Sequence, residues 1–381
     1  MTPVPGRSQV PPQVGNAPVT DVSWRAFRVP TDQPEADGTL AWAATTVVVV
    51  EVEAGGVRGT GWTYGSAGCG PVVQDEIRAS VVGTDAFDVP RAHESMVRAC
   101  RNLGRPGVAA SAISAADIAL WDLKARLLGI SLSDLFGRCR EAVPVYGSGG
   151  FTTYDTPTLA AQLEDWVGRL AIPRVKIKIA ESWGTEVGRD LARVATTRRI
   201  IGDDVELYVD ANGGYDVKQA VRIGHRLVHD SGVVWFEEPV SSDHLAGLRL
   251  VRTMLELDVA AGEYGYDEPY FDRMIRSEAV DCVQADVTRC GGYTSWLRIA
   301  ALAAAHGLEI SAHCAPNLHL PVAAAVPNLR HVEYFHDHSR LDPILFDGVT
   351  GPHDGALHPV GDFAGHGMRL RTKNIAELEV R

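Results

Sequence analysis

From residue 143 onward, short apolar runs alternate with longer stretches whose apolar residues recur at helical spacing. Strands are predicted at 143–146, 175–179, 206–210, 233–237, 259–262, 282–284, 309–312 and 332–335. Helices are predicted between them at 158–170, 187–201, 217–228, 243–255, 270–277, 293–306 and 316–326. Eight strands separated by helices are typical of an α/β protein, and this number predicts a (β/α)8 barrel.

The chain before residue 143 has a different order, with strands first and helices afterwards. Strands are predicted at 22–27 and 45–53, and helices at 75–82, 90–101 and 109–128. In the last helix the apolar residues keep helical spacing, and a glycine follows it as a plausible stop. Strands followed by helices predict an N-terminal α+β domain.

These patterns divide the chain into four parts. Residues 1–20 are rich in Pro, Val and Gly without any period, which predicts a flexible tail. The α+β domain is expected at 21–140 and the barrel at 141–340. The remaining segment, 341–381, is expected to return to the first domain, with a final strand or tail near its end.

Two polar segments of the first domain are predicted to be loops. Residues 28–39 include Pro30, Pro34, Asp37 and Gly38, and residues 64–70 are rich in glycine. Long loops in compact domains are often lids. Both segments are therefore predicted to close over the mouth of the barrel and to set specificity.

Composition excludes several classes of protein. The formal charge of −12 argues against a nucleic-acid partner, and no apolar run approaches the ~20 residues that span a bilayer. We expect no signal peptide, because no basic region followed by an apolar one opens the chain. Six cysteines without a CxxC pair fit reduced thiols, so a cytoplasmic location is expected. A small anionic substrate stays compatible with this charge, since a bound cation and lysines can reverse the local field.

Two lysines stand two residues apart in the predicted second barrel strand, in the run 174–180. Side chains of a strand alternate between its faces, so Lys176 and Lys178 point the same way. Inside a barrel they would repel each other, and the repulsion would move the pKa of one lysine down toward that of a base. The alternative is an edge strand whose lysines face water.

Ionisable residues also end the other barrel strands, at the face where barrel enzymes carry their chemistry. These residues are Asp210, Glu237, Glu263, Asp286, His313 and Glu333. Singly, such an acid could be a turn former or a helix cap, and a lone histidine could be a satisfied buried residue. Asp210, Glu237 and Glu263, however, follow three consecutive strands and would repel one another without a cation. Oxygen ligands of this kind suit Mg²⁺.

With these residues assembled, the chain resembles the enolase superfamily, in its mandelate racemase subgroup. The resemblance rests on the motifs KIK, DAN, FEEP, AGE, QAD, SAH and VEYF, in this order and well spaced. It implies a modified (β/α)8 TIM barrel with an N-terminal α+β capping domain and a C-terminal segment that returns to the cap. It also implies that Asp210, Glu237 and Glu263 bind Mg²⁺.

The resemblance further implies roles for five residues. Lys178 is expected to be one base, and His313, paired with Asp286, the other. Lys176 would lie against the substrate carboxylate and lower the pKa of Lys178. A protonated Glu333 would donate or share a proton at the other carboxylate oxygen. The divalent cation, Lys176 and the protonated Glu333 would each stabilise the charge that develops when the proton α to a carboxylate is removed.

Two reactions fit this layout, and we expect dehydration of a sugar acid first and racemisation or epimerisation of a 2-hydroxy acid second. Polar residues suit a polyol better than a phenyl ring; they are Ser148, Asn212, His319, His336 and His338. Because Asn212 stands where a galactonate-type histidine would be expected, that dehydratase is disfavoured. The expected partner is a small-molecule carboxylate, and the expected assembly is a homo-oligomer. A non-catalytic barrel that only binds ligands is the alternative from another class.

Overall fold

A computed structural model of the chain describes residues 15–359 and 361–380. Residues 1–14 of the predicted tail therefore lie outside the described residues. The end of that segment is not a tail, because the first strand begins at Val19. Val19 is buried and pairs with Ala54 of the next strand, so its apolar side chain belongs to the sheet.

The N-terminal layer is a four-stranded antiparallel sheet. Its strands are β1 (Val19–Ala36), β2 (Ala41–Ala54), β3 (Val57–Tyr64) and, on the outer side of β1, Glu379–Val380. Strand β3 is absent from the sequence prediction because two glycines interrupt it. A Cβ atom at Gly59 would lie 2.2 Å from the carbonyl oxygen of Ala119, so the glycine lets the sheet approach a helix closely.

Helices cover one side of this sheet, and the longest of them lies against β3. The α-helices of this layer are Cys69–Val72, Arg78–Val81, Val89–Ala99, Val108–Leu128 and Leu132–Phe136, with π-helical Val73–Ile77 and 3₁₀-helical Cys100–Asn102. The longest one ends as predicted at Gly129, whose φ of 70° suits glycine. Together, sheet and helices form the predicted α+β cap.

Eight parallel strands form a closed barrel, which confirms the predicted fold class. They are β4 (Val143–Gly149), β5 (Arg174–Lys178), β6 (Glu206–Asp210), β7 (Val233–Glu237), β8 (Asp258–Ala261), β9 (Cys282–Ala285), β10 (Glu309–Ala312) and β11 (Leu329–Phe335). Each strand pairs with its neighbour in chain order, and β11 pairs with β4 to close the ring. The carboxyl ends of all eight strands therefore meet at one face.

The helices between these strands follow the predicted alternation. They are Thr156–Glu164 with π-helical Asp165–Arg169, Glu181–Gly184, Val187–Ile201, Val217–Ser231, Leu245–Met254, Glu268–Arg276, Gly292–Ala305, Pro316–Ala325 and His336–Leu345. The seventh crossover is thus helical, as expected for 316–326. Among the described residues, no helix is both long and apolar enough to cross a membrane.

The prediction of a loop at 28–39 is wrong for most of these residues, because β1 extends to Ala36. Arg28 pairs with Thr46 and Val29 with Thr45, so β1 and β2 form a long hairpin whose turn is confined to residues 37–40. Its prolines had suggested a loop, but within this segment the ladder only shifts register between Pro30 and Glu35, and a bulge accommodates proline.

The hairpin reaches the mouth of the barrel. A Cβ atom at Gly38 would lie 2.4 Å from the carbonyl oxygen of Ile179, which directly follows β5. Only a residue without a side chain allows the turn to approach the barrel backbone this closely. A lid is therefore present, but it is a hairpin held by a ladder and not a free loop.

The C-terminal segment ends against the cap. Glu379 pairs with Phe27 and Val380 with Ala26, which adds a strand to the outer edge of the sheet. Before that, the short strand Phe346–Asp347 pairs with the short strand Arg369–Leu370, and Ala356–Leu357 pairs with β4. The chain end thereby ties the barrel to the cap.

Candidate active site

A cavity of about 340 Å³ opens at the carboxyl ends of the barrel strands. Ionisable side chains from the barrel line it, and among them are Lys178, Glu263, Arg289, His313 and Glu333. Four of these residues were predicted from the sequence as site residues. Their convergence follows from the closed barrel, which brings the ends of separate strands around one opening.

The cap closes the other side of this cavity. Asp37 and Leu40 of the hairpin turn, Trp42 and Thr45 of β2, and Tyr64 at the end of β3 line it. Both predicted lid segments therefore contribute residues to the cavity wall. The cap is positioned to contact any molecule bound there.

Three predicted metal ligands form one buried carboxylate cluster. Ligand atoms of Asp210, Glu237 and Glu263 all lie within 4.8 Å of one another. One oxygen of Glu237, Oε1, accepts no hydrogen bond from any residue that the structure describes. Glu238, the alternative to Glu237, lines a neighbouring cavity instead. The donor set is all oxygen and negatively charged, so it fits a hard divalent cation such as Mg²⁺.

The two lysines of β5 point toward this carboxylate cluster. Both are buried inside a closed barrel, so the edge-strand alternative is wrong. Lys176 Nζ lies 2.5 Å from Glu237 Oε2 and 2.8 Å from Glu333 Oε1. Lys178, two residues further along the strand, donates a hydrogen bond to Asp210. Lys176 therefore lies deeper than the cavity wall, whereas Lys178 reaches the cavity.

The chain's own charges hold Lys178 protonated, which differs from the neutral lysine expected from the sequence. Burial lowers the pKa of Lys178 and the neighbouring Lys176 lowers it further, but Asp210, with Glu263 and Glu237, raises it by more. The net pKa lies above the ordinary value. The predicted repulsion between the lysines exists, but the adjacent carboxylate outweighs it.

Opposite the lysines, His313 and Asp286 form a hydrogen-bonded pair. Nδ1 of His313 lies 2.8 Å from Asp286 Oδ2, while Nε2 faces the site, 3.3 Å from Glu263 Oε2. Asp286 is fixed from its other oxygen, which accepts hydrogen bonds from the backbone N–H and hydroxyl of Thr288, each 2.7 Å long. This arrangement orients the imidazole and leaves Nε2 available for proton transfer.

The charges of this pair favour an ion pair. Burial raises the pKa of Asp286, but the hydrogen bond and charge of His313 together with the charge of Arg289 lower it by more, so its net pKa lies below the ordinary value. Burial lowers the pKa of His313, but Cys314, Glu263 and Glu333 raise it well above the ordinary value. A protonated His313 is the form that can act as a general acid.

The surroundings of Glu333 favour its ionised form, whereas a protonated Glu333 was expected from the sequence. Burial raises the pKa of Glu333, but Lys176, His313 and Lys178 together lower it by more, and the net pKa lies below the ordinary value. Its Oε2 accepts a hydrogen bond from the backbone N–H of Cys314 at 2.9 Å. The lysine 2.8 Å away is the physical reason for the difference, because an ion pair favours the charged carboxylate.

One cationic wall residue is missing from the sequence prediction. Nη1 of Arg289 lies 3.4 Å from Glu263 Oε1, its Nε lies 3.5 Å from Asp286 Oδ2, and its guanidinium stands over the ring of Tyr264. Arg289 follows Asp286 by three residues, in the loop after β9. That position at a strand end is the signal that could have identified it.

The polar residues that suggested a polyol substrate fall into two groups. Asn212 and His338 line the cavity. Ser148 is fully buried on β4, and His319 Nε2 accepts a hydrogen bond from the backbone N–H of Val287. His336 lies next to the cap, 3.2 Å from an aspartate of the hairpin. Two of the five residues thus contact the cavity.

Sequence comparisons agree with this architecture. Residues 23–137 match the family described as "Mandelate racemase / muconate lactonizing enzyme, N-terminal domain", and residues 158–374 match "Enolase C-terminal domain-like". The first match covers the cap, and the second covers most of the barrel and the C-terminal segment.

Two similar proteins of known activity are sugar-acid enzymes. The L-talarate/galactarate dehydratase of Salmonella typhimurium is 31% identical over 335 residues, which are 85% of this chain and 80% of that protein. The 3,6-anhydro-alpha-L-galactonate cycloisomerase of Streptomyces coelicolor is 30% identical over 366 residues, which are 93% of this chain and 97% of that protein.

Solved structures are similar over the whole fold. A mandelate racemase/muconate lactonizing enzyme-like protein from Rubrobacter xylanophilus is 44% identical with a TM-score of 0.92, over 95% of this chain and all of that one. A racemase from Streptomyces coelicolor with bound magnesium is 28% identical with a TM-score of 0.88, over the same shares. The chain therefore belongs to the mandelate racemase/muconate lactonizing enzyme family of the enolase superfamily.

Proposed function

We propose that this protein is a Mg²⁺-dependent lyase that removes the proton α to the carboxylate of a sugar acid and then eliminates the β-hydroxyl as water. The observation that carries the proposal is the placement of Lys178 and His313 on one cavity, beside the cluster of Asp210, Glu237 and Glu263. A dehydratase of sugar diacids among the similar proteins supports the choice of reaction.

Asp210, Glu237 and Glu263 would hold the cation. When bound, Mg²⁺ supplies positive charge that stabilises the substrate carboxylate as it gains a second negative charge. The free Oε1 of Glu237 supports this assignment, because a buried carboxylate oxygen without a partner is costly. The solved racemase that contains magnesium supports the choice of metal.

The two groups act from separate strands. Lys178 takes the proton from the α-carbon, and the electron pair of that C–H bond moves into the carboxylate, giving an enediolate. The pair then expels the β-hydroxyl, which receives a proton from His313 and leaves as water. The resulting enol tautomerises to a 2-keto-3-deoxy acid, so substrate and product differ by one water.

Lys178 can become a base when its neighbouring carboxylates are engaged by a cation. Asp210 is the group that raises the pKa of Lys178 most, followed by Glu263 and Glu237, whereas burial and Lys176 lower it. Reducing the effect of these carboxylates leaves the two lowering influences dominant. Lys176 and Glu333 would then act as fixed charges that position the carboxylate and the lysine.

The size and lining of the cavity support a small hydroxylated acid. A volume of about 340 Å³ is near the lower end of the ~300–1,000 Å³ of ligand pockets. Asn212, Arg289 and Asp37 offer hydrogen-bond donors and acceptors along its wall. A chain of hydroxyl groups matches such a wall better than an aromatic ring does.

A substrate panel tests the proposal directly. Mono- and diacid sugars are incubated with the protein and Mg²⁺, and 2-keto product is trapped with semicarbazide and quantified. At least one acid should be dehydrated, and removal of Mg²⁺ by a chelator should stop the reaction reversibly. Binding of Mg²⁺ and acids without any turnover would instead identify a non-catalytic barrel.

Racemisation or epimerisation is the second candidate. It is favoured by the same two groups, because one on β5 and one after β10 could each exchange a proton on its own face of the α-carbon. The two reactions are distinguishable in D₂O. A racemase returns deuterated substrate of inverted configuration without forming a keto acid.

The proposal also covers the cellular compartment and the oligomeric state. We propose a cytoplasmic location, which the six unpaired cysteines support because thiols stay reduced there. We also propose a homo-oligomer in solution. Sedimentation equilibrium measures the oligomeric state, and localisation of a tagged chain measures the compartment.

A further inference from the structure

A second group of potential metal ligands lies at the seam between cap and barrel and shares no residue with the carboxylate cluster of the candidate active site. It consists of Asp32 and Glu35 on β1 and His336 directly after β11, and we call it the seam cluster. Ligand atoms of the three residues lie within 4.8 Å of one another. His336 Nε2 is 3.2 Å from Asp32 Oδ2.

An unpaired buried oxygen points to a ligand at this cluster. Glu35 is 1% exposed, and its Oε2 accepts a hydrogen bond from Trp42 Nε1 at 2.7 Å. Its Oε1 is equally buried but accepts no hydrogen bond from the residues described by the structure. Such an oxygen costs about 1–3 kcal/mol when it has no partner.

The surrounding charge is negative. Burial and the nearby Asp337 together raise the pKa of Glu35 to about 8. Arg340, which contacts Asp337 at 2.7 Å, lowers the pKa of Glu35 but does not offset this effect. A cation at the cluster would favour the ionised form of Glu35.

We propose that the seam cluster binds a divalent cation of borderline hardness, represented by Zn²⁺, and thereby ties the cap hairpin to the barrel. An imidazole with two carboxylates is a donor set that zinc accepts, with water in the remaining position, whereas Mg²⁺ prefers oxygen donors only. Asp32 and His336 are partly exposed, which gives the ion a route from solvent.

The position of the cluster gives the ion a structural consequence. Two ligands are on the hairpin and the third is on the barrel, so a bound ion links the two layers. The hairpin turn, residues 37–40, contributes Asp37 and Leu40 to the wall of the candidate active site. Zinc at the seam would therefore hold that wall in its closed position, whatever reaction the barrel catalyses.

Zinc titration calorimetry with Mg²⁺ in large excess tests the site. The full-length protein should bind one Zn²⁺, and Glu35→Gln and His336→Gln should each lower the zinc affinity by at least ~100-fold. Removing a metal ligand costs at least as much affinity as removing a residue that only positions a ligand. The matched control is His353→Gln, which removes an exposed histidine that also stands beside an aspartate. That variant should bind zinc like the unmodified protein.

Two variants identify competing sites. Glu237→Gln removes a carboxylate of the barrel cluster, and Cys314→Ser removes a thiol 3.3 Å from His313 Nε2. Both should keep the high-affinity zinc. The proposal is overturned if either of these variants loses that zinc, if the unmodified protein binds none, or if His336→Gln retains it.

Amide hydrogen exchange of the hairpin measures whether zinc links the hairpin to the barrel. Zinc should slow amide exchange in residues 30–44 of the unmodified protein and of His353→Gln. In His336→Gln, zinc should leave the amide exchange rate of this segment unchanged. The variant should fold, because His336 is on the barrel and partly exposed. Equal slowing in His336→Gln would show that the ion does not bridge the two layers.

Discussion

The two sides of the candidate active site hold their bases in different ways. On the lysine side, Lys178 contacts Asp210, a member of the carboxylate cluster, and Lys176 stands behind it. On the histidine side, Asp286 lies outside that cluster and holds Nδ1 of His313 at 2.8 Å. One base thus shares its partner with the candidate metal site, whereas the other has a partner of its own.

This difference separates two ways of controlling a proton. The protonation state of Lys178 depends on how strongly Asp210 is engaged elsewhere, so it is coupled to the cation. The orientation of His313 depends on Asp286, which is itself fixed by Thr288. A change at the carboxylate cluster should therefore disturb the whole site, while a change at Asp286 should mainly affect the histidine side.

The largest effect is expected from Glu237→Gln. It removes one negative charge from the cluster, so Mg²⁺ binding and every Mg²⁺-dependent reaction should be lost. The matched control is Glu206→Gln, which lies at the opposite end of the barrel and is half exposed. Calorimetry with Mg²⁺ and the dehydration assay measure both variants; full activity of Glu237→Gln would remove this residue from the site.

Next in size are the losses from Lys178→Ala and His313→Asn. Each removes one general acid or base, and such groups contribute about 10²–10⁴-fold to a rate. Dehydration should fall by this range in both variants, while Mg²⁺ affinity in His313→Asn stays within about threefold because the histidine is not a proposed ligand. Rates measured at saturating substrate check this, and an unchanged rate in His313→Asn would make that histidine a structural core residue.

Asp286→Asn should have a smaller and one-sided effect. It keeps a hydrogen-bonding group beside His313 Nδ1 but removes the charge that favours the imidazolium, and partners of this kind contribute about 10–100-fold. The pKa of His313 should fall, because the hydrogen bond to Asp286 raises it. NMR titration of the imidazole measures this shift, and an equal shift in the pKa of Lys178 would contradict the separation of the two sides.

The smallest effect is expected at the hairpin turn. Leu40→Ala should raise KM by about tenfold or less and leave kcat nearly unchanged, because this side chain lines the cavity wall but touches no base. Leu250→Ala, an exposed leucine on the outside of the barrel, is the control. If both variants have the same KM, the hairpin does not contact the substrate.

The barrel could be predicted from the sequence because its signals are local. Apolar strands alternate with amphipathic helices, and the ionisable residues stand at fixed places at the strand ends. The hairpin could not be predicted in this way. Residues 28–36 are polar and contain two prolines, and they become a strand through pairing with β2, which no local pattern displays.

The composition of the candidate site was predictable, but its charge states were not. The protonation of Lys178 and Glu333 follows from contacts with Asp210 and Lys176, which are distances that only the folded chain defines. Arg289 was missed for a similar reason, since its role in the wall depends on where the loop after β9 turns.

The central claim is that Lys178 and His313 act on opposite faces of one α-carbon, and proton exchange in D₂O tests it most directly. Each single variant, with Mg²⁺, is offered both epimers of a substrate identified by the panel, and deuterium at the α-carbon is measured by NMR. His313→Asn should exchange one epimer only, through Lys178, and Lys178→Ala should exchange only the other. Exchange of the same epimer by both variants, or of both epimers by either variant, would contradict the account.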